Sequence, residues 1–230
     1  NADGSIPSDN PFFNTTGAVK SIWALGLRNP FTFAFNPGSG PGMAINDVGG
    51  GSWEETNDGI PGANYGWPTS EGPTTNPAFT SPRYAYEHSN SQCAITGGAF
   101  YVPQAAQFPS DYLNDYFFAD NCAGWIRKLD PAAGNAVTTF ATGIAGPVDL
   151  KVGPDGGLYY LAINSGSLYR VIYNSAPPTI ATQPADRTVA PGQTATFTVQ
   201  AAGSGTLRYQ WQRDGVDLPN ATAPSYTTAV

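Results

Sequence analysis

Three short runs carry side chains that a β-rich core does not need. Arg28-Asn29-Pro30 sets a cation and an amide just ahead of an alternating run. Asp47-Val48-Gly49-Gly50-Gly51 sets a carboxylate and bare backbone just after another. Glycines let a chain turn sharply and present main-chain groups to a ligand, and hard cations such as calcium take carboxylate and carbonyl oxygens. The plainer alternatives are a structural cation at Arg28, tying loops together, and an Asp47 that bonds its own turn. Glu54-Glu55 offers two carboxylates, but neighbours on a strand point to opposite faces, so the two do not read as an acid/base couple, and one of them reads as a loop anchor. Asn64-Tyr65-Gly66-Trp67-Pro68 carries two large aromatics, which either stack on a sugar or pack against the fold. His88 is the one histidine of the chain and has the chemistry of a general base.

These residues sit between short apolar runs cut by Gly, Pro, Asn and Asp. Phe31, Phe33 and Phe35 alternate with Thr32 and Ala34, a period of two that predicts a half-buried strand. Met43 to Val48 predicts a second strand and Glu54 to Ile60 a third. Residues 1–20 read as a connection rich in turn signals. Residues 69–92 form a long Pro/Thr/Ser/Asn loop broken by Arg83-Tyr84-Ala85-Tyr86-Glu87, and loops of that length in a compact domain are usually functional or disordered. Val148 to Leu161 is a strand, a Pro-Asp-Gly turn and a second strand, with Ser167 to Tyr173 as a third. That unit loosely repeats Phe33 to Val48, as radial repetition of four-stranded blades would. No segment shows sustained helical periodicity.

Bulk composition narrows the classes. The 230 residues include 27 glycines and 21 prolines, and 12 % are charged. Turn-rich, charge-poor composition without a fibrous period favours all-β architecture. A net charge of −7 argues against gripping nucleic acid through its phosphates. It suits a protein handling neutral ligands. No run is long and apolar enough to span a bilayer.

Taken in order, RNPF, INDVGGGSWEETN and NYGWPTSEG resemble the glucose/sorbosone dehydrogenase family, through about residue 174. The resemblance implies part of a secreted, extracellular or periplasmic six-bladed β-propeller. Many members use pyrroloquinoline quinone (PQQ) and calcium to oxidise a small-molecule sugar. It implies cofactor contacts at Arg28 and Asn29, and a calcium-binding turn at Asp47, Gly49 and Gly50 with main-chain carbonyls as ligands. It assigns no catalytic residue here. The family's catalytic histidine lies in an earlier blade, and its Glu-His-Ser segment precedes the next strand, which makes His88 structural or rim-lining. Cys93 and Cys122 each flank a strand, and in a secreted family they read as one disulfide. The opening segment NADGSIPSDNPF resembles the interior of such a chain, so the sequence reads as a piece of a longer protein.

In one respect the sequence departs from the quinone enzymes. Those hold the cofactor's carboxylates with a lysine near Asn121-Cys122 and two arginines just before Asp149. Gly146 and Val148 stand where the arginines would be, and Arg127 and Lys128 fall out of register with the lysine. A tricarboxylate needs such cations.

Asn174 to Pro178 reads as a linker. Residues 175–230 then resemble a truncated immunoglobulin-like β-sandwich of the kind appended to bacterial secreted enzymes. Trp211 would be its core tryptophan, and Ala195, Phe197 and Val199 alternate. Three functions follow. The first is a carbohydrate oxidoreductase, passing hydride from a sugar C1 to a calcium-polarised quinone with a histidine base from other blades. The second is a non-catalytic binding or adhesion scaffold. The third is a building block of an extracellular assembly, its blade edges completed by other chains. Fold resemblance alone does not choose among them.

Overall fold

The computed structural model describes residues 1–38, 42–173, 178–203 and 207–229. The chain divides into two compact units, residues 1–173 and residues 174–230.

The first unit is three antiparallel sheets in succession. Strands β1 (Pro30–Phe35), β2 (Met43–Asp47), β3 (Trp53–Asp58) and β4 (Tyr84–Glu87) pair in chain order. So do β5 (Ile95–Phe100), β6 (Tyr116–Asp120), β7 (Trp125–Asp130) and β8 (Ala136–Thr142). The third sheet holds β9 (Pro147–Val152), β10 (Leu158–Ala162) and β11 (Ser167–Val171). The first strands of the sheets are neighbours, with β5 between β1 and β9. The sheets are therefore blades of a β-propeller, each a meander whose first strand lies innermost.

Blade stacking explains the burial. Every residue of β6, Tyr-Phe-Phe-Ala-Asp, is fully buried. Side chains alternate across a strand, so Tyr116 and Phe118 enter the core shared with Ala44 and Tyr86 of the first blade. Phe117 and Ala119 enter the core shared with Leu150 and Leu158 of the third. A strand covered on both faces reads as a continuous apolar run rather than an alternating one. Burying one such phenylalanine contributes about 1.5–3 kcal/mol.

Strand β1 keeps the alternation expected of it, but its covered face is the small one. Thr32 and Ala34 are half-buried toward the second blade, while Phe31, Phe33 and Phe35 remain 51, 59 and 69 % exposed. The reason is space. Thr32 donates its hydroxyl to the Gly97 carbonyl of β5, an approach that a phenylalanine facing that way would block.

The long 69–92 segment is pinned rather than loose. The Thr80 amide donates to Asn64 O at 2.7 Å, the Thr74 amide to Ser81 Oγ at 3.2 Å, and β4 lies within the segment. Cys93 and Cys122 are disulfide-bonded, as the sequence suggested.

In the second unit, β12 (Thr179–Thr182) pairs with β14 (Gln200–Ala202). Strand β13 (Thr196–Thr198) pairs with β17 (Ser225–Thr227), and β15 (Gln212–Arg213) with β16 (Val216–Asp217). Trp211 packs near the rings of Phe197 and Tyr226 and donates its indole N–H to Ala223 O at 2.9 Å. Of the linker reading, residues 174–177 lie outside the described residues.

Candidate functional site

Inner strands of neighbouring blades begin at one end of the propeller axis, and the loops entering them meet there. A cleft of about 260 Å³ opens at that end. Asn29 enters it from just before β1 and Val48 from just after β2. Thr96 of β5, Asn121 after β6 and Val148 of β9 complete it, with Phe31 and Ile163 as apolar walls. Thr96 Oγ1 donates to Pro147 O at 2.8 Å, and Asn121 Nδ2 donates to the same oxygen at 3.2 Å. That shared carbonyl locks the second blade to the third and leaves the Asn121 carboxamide oxygen for another donor. None of the described residues lining the cleft is charged.

The motifs that sequence grouped together divide here. Asn29 faces the cleft, whereas Arg28 joins Asp47, Gly49, Glu55, Trp67 and Glu71 around a small polar cavity behind the Gly-Gly-Gly turn. Strand-like pairing of Leu25 and Gly26 with Ala63 to Trp67 brings this about. It sets the Arg28 guanidinium 5.5 Å from the Trp67 ring centre, and Nη1 donates to Val48 O at 3.0 Å.

Asp47 is buried and accepts two main-chain amides, Arg28 N on Oδ2 at 2.9 Å and Asn29 N on Oδ1 at 2.6 Å. Desolvation raises its pKa, against the pull of those two amides. The carboxylate thus fixes where Asn29 stands. Glu54 and Glu55 point to opposite sides, as the strand requires. Glu54 accepts the Ile95 amide at 2.8 Å and pairs with His88 Nε2. Glu55 accepts the Gly72 amide at 2.6 Å and Asn57 Nδ2 at 3.0 Å. Burial raises both carboxyl pKa values above the ordinary range. Both glutamates anchor loops, and His88 is held at the blade seam by Glu54, away from the cleft's lining.

The turn itself is organised by a residue that sequence did not single out. Glu71 Oε1 accepts the amides of Gly50, Gly51, Ser52 and Trp53, at 2.7, 3.2, 3.2 and 3.2 Å. Partial burial pushes its pKa up, but the four amides outweigh that and hold it below the ordinary value. Its one sequence signal was a carboxylate in a Gly/Pro loop. Its partners lie about twenty residues away, beyond any local pattern.

The two expected non-protein groups fare differently. Among the described residues no three His, Cys, Asp or Glu side chains converge on a metal position. The carbonyls of Gly49, Gly50 and Gly51 accept no hydrogen bond from described residues, while that of Ser52 takes the His88 amide at 2.9 Å. Main-chain oxygens with no donor among the described residues are ligands that suit a hard cation such as calcium. A tricarboxylate quinone does not fit the cleft walls. Gly146 holds a left-handed φ of +68°, and a Cβ there would meet Asn164 Nδ2 at 2.7 Å, so an arginine has neither conformation nor room. Arg127 lies over Trp125 at 4.0 Å and Lys128 pairs with Asp115, so both cations are engaged elsewhere.

Residues 1–170 match the family model described as Glucose / Sorbosone dehydrogenase. The chain is 29 % identical over 195 residues to the aldose sugar dehydrogenase YliI of Escherichia coli (strain K12), covering 73 % of this chain and 48 % of that protein. It is 40 % identical over 85 residues to quinoprotein glucose dehydrogenase B of Acinetobacter calcoaceticus, covering 37 % of this chain and 17 % of that protein. A crystal structure of glucose dehydrogenase superposes with a TM-score of 0.65 at 26 % identity, over 75 % of this chain and 53 % of that one. The chain spans about half the length, or less, of these relatives. No helix among the described residues is long and apolar enough to cross a membrane.

Proposed function

This chain belongs to the glucose/sorbosone dehydrogenase family, and from that premise we propose that the complete protein is a secreted or periplasmic sugar dehydrogenase acting at the sugar's C1. Residues 1–173 supply blades and one wall of its ligand cleft. The observation carrying this reading is the convergence of Asn29, Thr96 and Asn121 on a single uncharged cleft where inner strands begin. Carboxamides pair with the hydroxyls of a neutral sugar without the desolvation cost of an ion, and Phe31, Val148 and Ile163 offer apolar walls beside it. Asn29 contacts the bound ring. Arg28 acts one layer behind, through Val48 and Trp67.

Calcium would be held at the Asp47, Gly49 and Gly50 turn, where Asp47 fastens the turn through two amides and the glycine carbonyls would be the ligands. A cation held there would polarise an oxygen bound beside it. PQQ remains the acceptor suggested by relatives, but the described walls offer no grip for its carboxylates, and no step is assigned through it. The second unit is read as immunoglobulin-like, on the strength of Trp211 set among Phe197 and Tyr226.

A binding scaffold without catalysis is the second reading, favoured by the absence of titratable groups from the described cleft lining and by the Glu54–His88 pair. Dye-linked oxidation of an aldose panel by the full-length protein, with PQQ and calcium supplied, separates the two. Turnover supports the dehydrogenase. Sugar binding without turnover establishes the scaffold. Residues 1–230 alone are expected to give no turnover, because no base among the described residues lines the cleft. Quinone-dependent reduction that vanishes in His88→Ala would overturn that expectation.

A further inference from the structure

We propose that Glu71 is the positioning residue of the candidate cation turn: its carboxylate orients four consecutive peptides so that the turn's carbonyls face away from it. This rests on the reading of Asp47 to Gly50 as a cation site, and it names the group that shapes that site.

A trans peptide is planar, and its N–H and C=O point in opposite directions. The amides of Gly50, Gly51, Ser52 and Trp53 all aim at one oxygen, Glu71 Oε1. The carbonyls of the same peptide units belong to Gly49, Gly50, Gly51 and Ser52, so each is turned away from Glu71. Concave sets of successive amides of this kind hold anions. Here the anion is the protein's own side chain. Three glycines in a row have many conformations of similar energy, and nothing in their own sequence selects this one. Charge-assisted bonds to a single acceptor do.

Glu71 is itself held from the other side. Its neighbour Gly72 donates to Glu55 Oε1 on β3 at 2.6 Å. Gly72 has a φ of +80° and lies so close to the Trp53 ring that a Cβ would meet it at 2.6 Å. The loop therefore crosses directly over β3. Strand β3 grips the loop through Glu55, and the loop grips the β2–β3 turn through Glu71, a reciprocal clasp. Asp47 and Glu71 divide the work: Asp47 sets the amides of Arg28 and Asn29, and Glu71 sets those of residues 50–53.

Amide hydrogen exchange and calcium titration on the same protein test this. In the full chain, Glu71→Ala is expected to speed exchange at residues 50–53 about tenfold or more, with exchange in β6 unchanged. Glu71→Gln keeps an acceptor oxygen without the charge and is expected to fall between. The calcium-induced rise in melting temperature should be lost in Glu71→Ala and partly retained in Glu71→Gln. Unchanged exchange at 50–53 in Glu71→Ala overturns the proposal, whatever calcium does. Equal loss of the calcium response in both variants overturns the orienting role in favour of simple charge. If the parent itself does not respond to calcium, the cation reading fails, and exchange alone judges the clasp. Should Glu71→Ala not fold, faster exchange at 50–53 in Glu71→Gln supports the proposal and parental rates overturn it.

Discussion

Tyr86 donates its hydroxyl to Asp120 Oδ2 at 2.8 Å, joining the outermost strand of the first blade to β6 of the second. The same carboxylate accepts the amides of Cys93 and Ala94 on Oδ2 and those of Cys122 and Ala123 on Oδ1. One fully buried side chain thus holds both cysteine segments and the blade seam. Asp120→Ala is expected to destabilise the first unit by about 3 kcal/mol or more, since it strands several buried donors. Urea unfolding of the oxidised protein measures it. A loss below about 1 kcal/mol would show that water replaces the carboxylate.

The Cys93–Cys122 bond closes a separation of 29 residues. In the chain-entropy model its loss costs about 3–4 kcal/mol. Thiol labelling of unreduced, denatured protein should find no free thiol. The Cys93→Ser/Cys122→Ser double variant should lower the urea midpoint accordingly. Two labelled thiols would count decisively against the bond.

Calcium is expected to raise the melting temperature of the first unit. At a hundredfold excess over Kd, mass action contributes about 2.7 kcal/mol, or roughly 5–10 °C for a unit of this size. Melting scans across calcium concentrations, with a chelator as baseline, read it. A flat series removes the cation site.

Asp115 gives a pH dependence of defined sign. Burial raises its pKa, against the opposing pull of Lys128. The folded state therefore holds this proton more tightly than the unfolded chain, whose value is near 3.8. Stability from this group grows as pH falls from neutrality through the raised folded value, and levels off near the unfolded one. The expected result is a melting temperature that climbs on acidification, with a smaller climb in Asp115→Asn. Identical slopes in the two proteins would refute the assignment.

Phe117 is fully buried between the second and third blades, against Phe108 and Phe140. Phe117→Ala is expected to cost about 3–5 kcal/mol. Phe33→Ala, on the exposed face of β1, should stay within about 0.5 kcal/mol in the same chain. Comparable losses at both positions would mean that the Phe face of β1 is covered in solution.

Sequence alone determined what is local. Alternation, turn residues and Pro-Asp-Gly located β1, β2, β9, β10 and β11 to within a residue or two, because period and turn chemistry act over a few bonds. Ordered motifs led to the family, and the opposed directions of Glu54 and Glu55 followed from pleating alone. Tertiary structure decided the rest. Alternation in β1 could not say which face is covered, since that depends on the neighbouring blade. Arg28 and Asn29 are adjacent in sequence yet serve different cavities, because Asp47 takes both their amides and lets the side chains diverge. Glu71 and Asp120 acquire their roles only when the fold gathers amides around them. A carboxylate's partners are set by the path of the backbone around it, and that path depends on contacts far apart in the chain.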